Sequence, residues 1–331
     1  MGWLLYGAVA TDQLGTPVSN SCLSWKTKPL EDRRGTWFPS IMPMLQPIPI
    51  GTVIRPEADF AASLALYPDG FECYQLVWAL KHCGVVPDLQ EQVAAVRDAA
   101  AARGACISAL GVYGNPLRED AAGESARDGL RRAILAAHKY GTDVVGCFAG
   151  RVPWTAVPDS LPRFREVFGE LARRAEDSGV RLAFENCLQG GNWERGETNI
   201  GFHPAAWELM FDAVPSAALG LEWEPCHLMC QQIDPLPVLD RYAARIFHVH
   251  GKDGHLNPAS LAASGTHGPE QVVRHRFPGL GDSDWSVIFR KLSAAGYRGV
   301  VDIEGGHDPV FRGELEMEGQ RNALAWLRKC R

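Results

Sequence analysis

The chain has 331 residues, 46% of them hydrophobic and 22% charged, with a net charge of −6. That is the balance of an ordinary soluble globular protein, long enough for one α/β barrel with insertions. The acidic balance excludes a basic field for nucleic acid or an anionic membrane, and no apolar run approaches the ~18 residues a membrane span needs.

Taken in order, Trp3–Ala8 reads as a first buried strand. Met1–Ala10 lacks the basic start and small-residue cleavage site of a secretion signal. Residues 11–56 follow with seven prolines, at 17, 29, 39, 43, 47, 49 and 56, which break any periodicity. They predict a long β1α1 loop, and loops beyond ~15 residues are usually functional or disordered. Trp25, Trp37, Phe38, Ile41, Met42, Met44 and Leu45 make this segment too apolar for a solvated linker. It is expected to pack either on its own barrel or against another subunit.

From about residue 71 short β-branched runs alternate with helical segments. Cys73–Trp78, Cys106–Val112, Asp143–Phe148, Arg181–Glu185, Leu219–Trp223, Ile246–His250 and Gly299–Ile303 read as strands, eight with the first. Asp88–Arg103, Arg127–Tyr140, Leu161–Ser178 and Asp284–Ala295 read as amphipathic helices, and Gly104, Gly141, Gly179 and Gly296 stand where left-handed helix ends are expected. The alternation predicts parallel βαβ units closed into a (β/α)8 TIM barrel, one domain over residues 1–331. The nine cysteines are scattered and odd in number. Cys73, Cys106, Cys147 and Cys187 fall in or at the end of strand-like runs, as free thiols of a reduced, cytoplasmic protein would. Cys226 and Cys230 form a pair with no second pair, so spacing argues against a thiolate zinc site.

In such a barrel, polar residues at the C-terminal ends of the strands line the active site. Here the fifth strand ends in Glu185-Asn186, the sixth in Glu222-Trp-Glu224-Pro-Cys-His227, the seventh in His248-Val-His250-Gly-Lys252-Asp253 and the eighth in Asp302-Ile-Glu304-Gly-Gly-His307. A single carboxylate after a strand is usually a helix cap or a solvated turn. Four successive strand ends offering Glu, Glu, His and Glu are different, because three converging carboxylates repel one another unless a cation neutralises them. With one imidazole, the oxygen-dominated set suits Mn²⁺ or Mg²⁺, and would also accept Co²⁺, Fe²⁺ or Zn²⁺. Strand alternation favours His250 over His248 and Glu224 over Glu222, since the favoured members sit at the strand ends and the others share their face one layer lower.

With these residues in view, the chain from Ala58 to Cys330 resembles the sugar phosphate isomerase/epimerase superfamily, whose fold is the xylose-isomerase-like barrel. The likeness rests on Ile107–Leu117, Phe184-Glu185-Asn186, Glu224-Pro-Cys-His227, Phe247–Asp253, Pro278–Trp285 and Asp302-Ile-Glu304. It implies a single divalent metal, Mn²⁺ by preference, on Glu185, Glu224, His250 and Glu304. Glu185 and Glu304, facing each other across the barrel, are its candidates for the catalytic base. His227, Lys252, Asn115 and His307 become candidates to hold substrate, although a loop histidine is the plainer reading of His307. The family usually has Asp where this chain has Glu224, so the longer side chain shifts the metal or widens its site.

Within the superfamily, Trp223–His227, His250–Asp253, Glu304–Pro309 and Glu314–Gln320 look like the large subunit of C-glycoside deglycosidases. That resemblance implies a metal-dependent carbon–carbon lyase acting on glycosides oxidised at the sugar 3-position, with a small β-type partner subunit in a hetero-oligomer. The alternatives are a ketose isomerase or epimerase acting alone as a homo-oligomer, and a non-catalytic sugar-binding protein. A DNA repair endonuclease on this barrel would need a basic groove and more histidine ligands. A Rossmann oxidoreductase would need Gly-x-Gly-x-x-Gly after its first strand, where this chain has Gly7-Ala-Val-Ala.

Overall fold

The computed structural model describes residues 47–55, 60–266 and 268–331. These residues belong to one compact unit. Eight parallel strands close into a barrel: β1 (Ile50–Ile54), β2 (Cys73–Ala79), β3 (Cys106–Tyr113), β4 (Val144–Cys147), β5 (Arg181–Glu185), β6 (Leu219–Trp223), β7 (Ile246–Gly251) and, after an inserted antiparallel hairpin of β8 (Asp253–Leu256) and β9 (Val273–Arg276), β10 (Val301–Ile303). Ring closure is made by β10, which pairs with β7 on one side and β1 on the other.

Helices α1 (Phe60–Leu66), α2 (Leu80–Cys83), α3 (Leu89–Ala102), α4 (Ala121–Tyr140), α5 (Leu161–Asp177) and α6 (Pro204–Ala213) follow the first five strands. The rest are α7 (Pro225–Cys230), α8 (Pro235–Tyr242), α9 (Pro258–Ser264) inside the hairpin insertion, α10 (Trp285–Ala294) and α11 (Glu316–Cys330). Their starts are chemically marked. Asp88, Asp120 and Asp284 each accept a hydrogen bond from a first-turn amide, satisfying a donor that no helical carbonyl can reach. Gly104, Gly141, Gly179 and Gly296 all have positive φ, as their placement after helices requires. No helix among the described residues is long and apolar enough to cross a membrane.

The sequence reading placed the first strand wrongly. The barrel's opening strand is Ile50–Ile54, paired in register with both Val301–Ile303 and Cys73–Leu76. Trp3–Ala8 lies outside the described residues. The segment 11–56 is therefore not a β1α1 loop: its end is itself β1, and its residues before 47 are outside the described set. The prolines obscured this, yet Pro47, Pro49 and Pro56 flank the strand without interrupting it, the position in which strands tolerate proline. The extent of the domain over the full 1–331 is an expectation that the described residues do not reach. A smaller correction concerns Cys106, which is exposed at the start of β3, whereas Cys73, Cys147 and Cys187 are buried. All eight described cysteines are free thiols.

Between barrel and helices lies an apolar core that includes Phe164, Phe168, Phe184, Trp207 and Trp285. The barrel interior is instead polar, and close backbone approach makes room for it. A Cβ at Gly51 would stand 2.0 Å from Asp302 Oδ1 and 2.4 Å from the Cys73 carbonyl oxygen. One at Gly146 would stand 2.8 Å from both Glu222 Oε1 and Tyr113 Oη. Glycine at these strand positions is what lets charged side chains fill the centre. Gly51→Ala should thus destabilise the protein by about 1–3 kcal/mol through overpacking, read as a lower urea midpoint. An unchanged midpoint would contradict the placement of Ile50–Ile54 in the barrel wall.

Candidate metal centre and substrate cavity

At the C-terminal mouth, Glu185 closes β5, Glu224 follows β6, His250 lies near the end of β7 and Glu304 follows β10. All four are buried, and each offers a ligand atom within 4.8 Å of the others. His250 Nδ1 is 3.8 Å from Glu185 Oε1 and 3.7 Å from Glu304 Oε2. Among the described residues His250 Nδ1 has no hydrogen-bond partner, and neither carboxylate oxygen of Glu224 makes a well-formed hydrogen bond, its only close partners being the cationic side chains of His227 and Lys252. Buried polar atoms left short of hydrogen bonds are costly. A divalent cation fits them, so the group could hold a metal ion.

The backbones carrying these side chains are held by two asparagines. The Asn186 side chain donates to the Glu224 carbonyl (3.0 Å) and accepts from the Glu224 amide (2.8 Å), tying the end of β5 to that of β6. Asn199 donates to the carbonyls of Glu185 (3.1 Å) and Cys187 (2.9 Å). Glu224 itself is the extended residue before α7, with Pro225 starting the helix and no capping bond from its side chain. Its carboxylate is left for the site.

Beneath the mouth, the ring of His250 is fixed from behind. Its Nε2 donates to Gln75 Oε1 at 2.7 Å and lies 3.2 Å from Glu222 Oε1. With the proton on Nε2, the bare Nδ1 lone pair points into the cluster, the arrangement by which outer hydrogen bonds orient a metal-binding imidazole. Gln75 Nε2 donates in turn to Glu222 (2.6 Å), and Tyr113 Oη also donates to Glu222. A layer lower, His248 bridges Glu222 (2.9 Å) and Asp302 (2.8 Å), and the Ser108 hydroxyl donates to Asp302. His248 and Glu222 thus lie below the site, as strand alternation predicted. Gln75 and Tyr113 escaped the sequence reading, because a lone Gln or Tyr in an apolar strand carries no motif.

Cations lie among the carboxylates. Lys252 Nζ is 3.0 Å from Glu304 Oε2, 3.7 Å from Glu224 Oε2 and 3.4 Å from His227 Nε2. Arg55 reaches Glu304 Oε1 at 3.3 Å, and His227 Nε2 stands 2.9 Å from Glu224 Oε1. Burial works against the charged Glu304 carboxylate, but Lys252, His307, His250 and Arg55 hold its pKa well below the usual range. Burial, reinforced by the neighbouring Glu304 and Glu224 carboxylates and only partly offset by His250, raises the Glu185 pKa. The Lys252 ammonium is opposed by burial, yet Glu224 and Glu304 push its pKa well up.

The four candidate substrate residues are placed differently. His227 and Lys252 are buried at the cluster and line the cavity above it. His307 also lines it, with Nδ1 3.5 Å from Glu304 Oε1. Glu304 raises the His307 pKa, but burial, Lys252 and Arg55 outweigh this and bring it down to about 4. Asn115 borders the cavity, but its amide is fully engaged. Nδ2 donates to the carbonyls of Arg151 and Glu197, each at 2.7 Å, and Oδ1 accepts from the amides of Arg151 and Leu117. No hydrogen-bonding capacity is left for a sugar, so Asn115 holds the loops after β3 and β5 together.

The cavity measures about 1170 Å³. One part of its wall is apolar, where Val53, Val77, Tyr113, Phe148 and Cys187 pack together.

A parallel eight-stranded barrel whose strand ends gather three carboxylates and an imidazole under a large cavity defines a class of metal-capable barrel proteins. Residues 65–330 match the model of the Xylose isomerase-like TIM barrel family, and the chain belongs to that family. It is 32% identical over 166 residues to an inosose dehydratase of Geobacillus thermodenitrificans, covering 49% of this chain and 50% of that protein. Its identity with the inosose dehydratase of Lactiplantibacillus plantarum is 27% over 153 residues, covering 45% of this chain and 47% of the relative. The chain thus spans about half the length of these curated relatives. Among solved structures, a 3-keto-D-glucoside 4-epimerase from E. coli superposes with a TM-score of 0.59 at 16% identity, covering 86% of this chain and all of that one (100%). A D-psicose 3-epimerase gives 0.61 at 18%, covering 86% and 99%. At such identities the likeness is one of fold.

The placement of Gln75 behind His250 has a measurable consequence. Gln75→Leu removes the acceptor that fixes the imidazole tautomer, and should weaken Mn²⁺ binding about 10- to 100-fold by isothermal titration calorimetry. Wild-type affinity in this variant would show that Gln75 does not orient the ring.

Proposed function

We propose that this chain is a divalent-metal-dependent enzyme that removes the proton α to the carbonyl of a keto-sugar, with Glu185, Glu224, His250 and Glu304 as the metal ligands. The observation that carries this reading is the buried convergence of three carboxylates and an imidazole, Glu185, Glu224, Glu304 and His250, whose ligand atoms lie within 4.8 Å of one another, with His250 Nδ1 left without a hydrogen-bond partner among the described residues. The mixed oxygen and nitrogen donor set favours Mn²⁺. Bound there, the ion supplies a Lewis acid and a template for a carbonyl oxygen and its neighbouring hydroxyl.

The chain's own residues divide the remaining work. Glu304 is clamped by Lys252 and Arg55, whereas among the described residues no lysine or arginine ion pair holds Glu185. Glu185 is therefore the better base for the α-proton. Lys252 and His227 present protonated nitrogen beside the cluster, where they can hold a substrate oxygen or return a proton.

The finer reading is a carbon–carbon lyase acting on a 3-oxo-C-glycoside, with a small partner subunit. Glu185 would take the proton from C2. The electron pair then forms the C1=C2 double bond as the bond from C1 to the aglycone breaks, and the aglycone carbon takes a proton from Lys252 or His227. Three observations support this. The first is the resemblance read from the sequence, at Trp223–His227, His250–Asp253, Glu304–Pro309 and Glu314–Gln320, to C-glycoside deglycosidase large subunits. The cavity of about 1170 Å³ exceeds the roughly 300–1,000 Å³ of pockets that enclose a whole drug-sized ligand, leaving room for an aglycone beside the sugar. Its apolar wall of Val53, Val77 and Phe148 suits an aromatic aglycone better than a free sugar does. The relatives' names fit the chemistry too, since a dehydratase of an inosose performs an elimination and a 3-keto-glucoside already carries the ring ketone.

The alternative is a ketose epimerase or isomerase acting alone, which the named epimerase structures favour. Proton NMR in deuterated buffer separates the two. The protein, loaded with Mn²⁺ and co-expressed with its small partner, should release aglycone from a 3-oxo-C-glycoside without added nicotinamide cofactor. Rapid epimerisation of a free ketohexose by the isolated chain, with no aglycone release even with the partner present, would overturn the lyase reading.

A further inference from the structure

Beside the carboxylate cluster, a second group of donors shares the cavity wall. Cys226 and Cys230 stand four residues apart on α7, on one helix face, and His275 comes from β9 of the inserted hairpin. Their Sγ, Sγ and imidazole nitrogen atoms lie within 4.8 Å of one another. Cys230 Sγ is 3.6 Å from His275 Nε2. With Zn–S of about 2.3 Å and Zn–N of about 2.0–2.1 Å, the sulfur–nitrogen edge of a tetrahedral zinc centre is roughly 3.6 Å. The pair is already at that edge length.

The chemistry of this set is the opposite of the first. Two thiols and an imidazole are soft donors that select zinc over manganese or magnesium, whereas three carboxylates and an imidazole are oxygen-dominated. The two sets share no residue, although the rings of His227 and His275 are 5.3 Å apart. Cys226 is buried, while Cys230 and His275 are half-buried and line the cavity. The hairpin packs on α7 here, since a Cβ at Gly254 would come within 3.5 Å of Cys226 Sγ and 3.4 Å of Met229 Sδ.

We infer that Cys226, Cys230 and His275 form a zinc site, separate from the carboxylate site, that pins the β8–β9 hairpin to α7. Three protein ligands leave the fourth position for water or a substrate oxygen, the pattern of open rather than closed zinc centres. Two of the ligands line the cavity, so that position opens into it. The cysteine spacing argued against a thiolate zinc site here because it shows only one pair; the third donor is a histidine 45 residues beyond Cys230. This inference does not depend on the proposed reaction.

Cobalt reports the ligand type directly, because thiolates bound to Co²⁺ give an intense near-ultraviolet charge-transfer band that oxygen ligands do not. Metal-stripped protein, kept reduced with a phosphine, is titrated with Co²⁺ alone and then with Zn²⁺. The band should saturate by two cobalt ions per chain, because the carboxylate site takes cobalt without producing it, should persist in Glu185→Gln and Glu304→Gln, and should disappear on adding excess Zn²⁺. Cys226→Ser, Cys230→Ser and His275→Ala should each weaken the band's apparent cobalt affinity at least 10-fold. Circular dichroism of each variant confirms that it is folded. A wild-type titration without the band, or a band undiminished in folded Cys230→Ser, would overturn the assignment.

Discussion

Mutual repulsion among four buried carboxylates is the constraint on which the rest of this structure depends. Glu185, Glu222, Glu224 and Glu304 all sit at 8% exposure or less near the barrel axis. Burying ionised carboxylates is expensive unless each is paired or hydrogen-bonded. The molecule meets this layer by layer. Glu222 is satisfied by Gln75, Tyr113 and the two histidines of β7, and Asp302 below it by His248 and Ser108. Glu304 is satisfied by Lys252 and Arg55. Glu224 meets His227 and Lys252 but makes no well-formed hydrogen bond, and His250 Nδ1 beside it has no hydrogen-bond partner among the described residues. The least satisfied part of the cluster is therefore at one point, where a divalent cation would complete charge and coordination together.

The same constraint shapes the backbone. A charged barrel interior needs volume, and Gly51 and Gly146 provide it at strand positions where any Cβ would collide with Asp302 or Glu222. It also orders the mouth. Asn186 and Asn199 bond the backbone of Glu224 and Glu185, so the like-charged side chains they carry cannot relax by moving their strands apart. Residues that offer the site no ligand atom thus hold the geometry that the chemistry requires.

Much of this was legible in the sequence, for identifiable reasons. Seven of the eight barrel strands were readable because buried parallel strands are near-continuous β-branched runs, and helix-ending glycines marked their beginnings. The four strand-end residues were readable because topology places successive strand ends at one mouth. Ile50–Ile54 was hidden by the prolines on either side of it. Gln75 and Tyr113 were hidden because their significance lies in what they touch across the barrel, 147 residues away for Gln75 and 109 for Tyr113. Asn115 was over-read: its motif drew attention to the cavity, while its bonds go to the backbone of neighbouring loops. His275 was invisible for a related reason, since an inserted hairpin brings it to two cysteines with which it shares no spacing rule.

The central claim is that one hard divalent ion is held by Glu185, Glu224, His250 and Glu304. Anomalous X-ray diffraction from crystals of the metal-stripped protein soaked in Mn²⁺ tests it most directly. A single manganese peak is expected within about 2.0–2.3 Å of a carboxylate oxygen of each glutamate and of His250 Nδ1. A map with no manganese peak among these four residues, at Mn²⁺ concentrations that support full activity, would contradict the account.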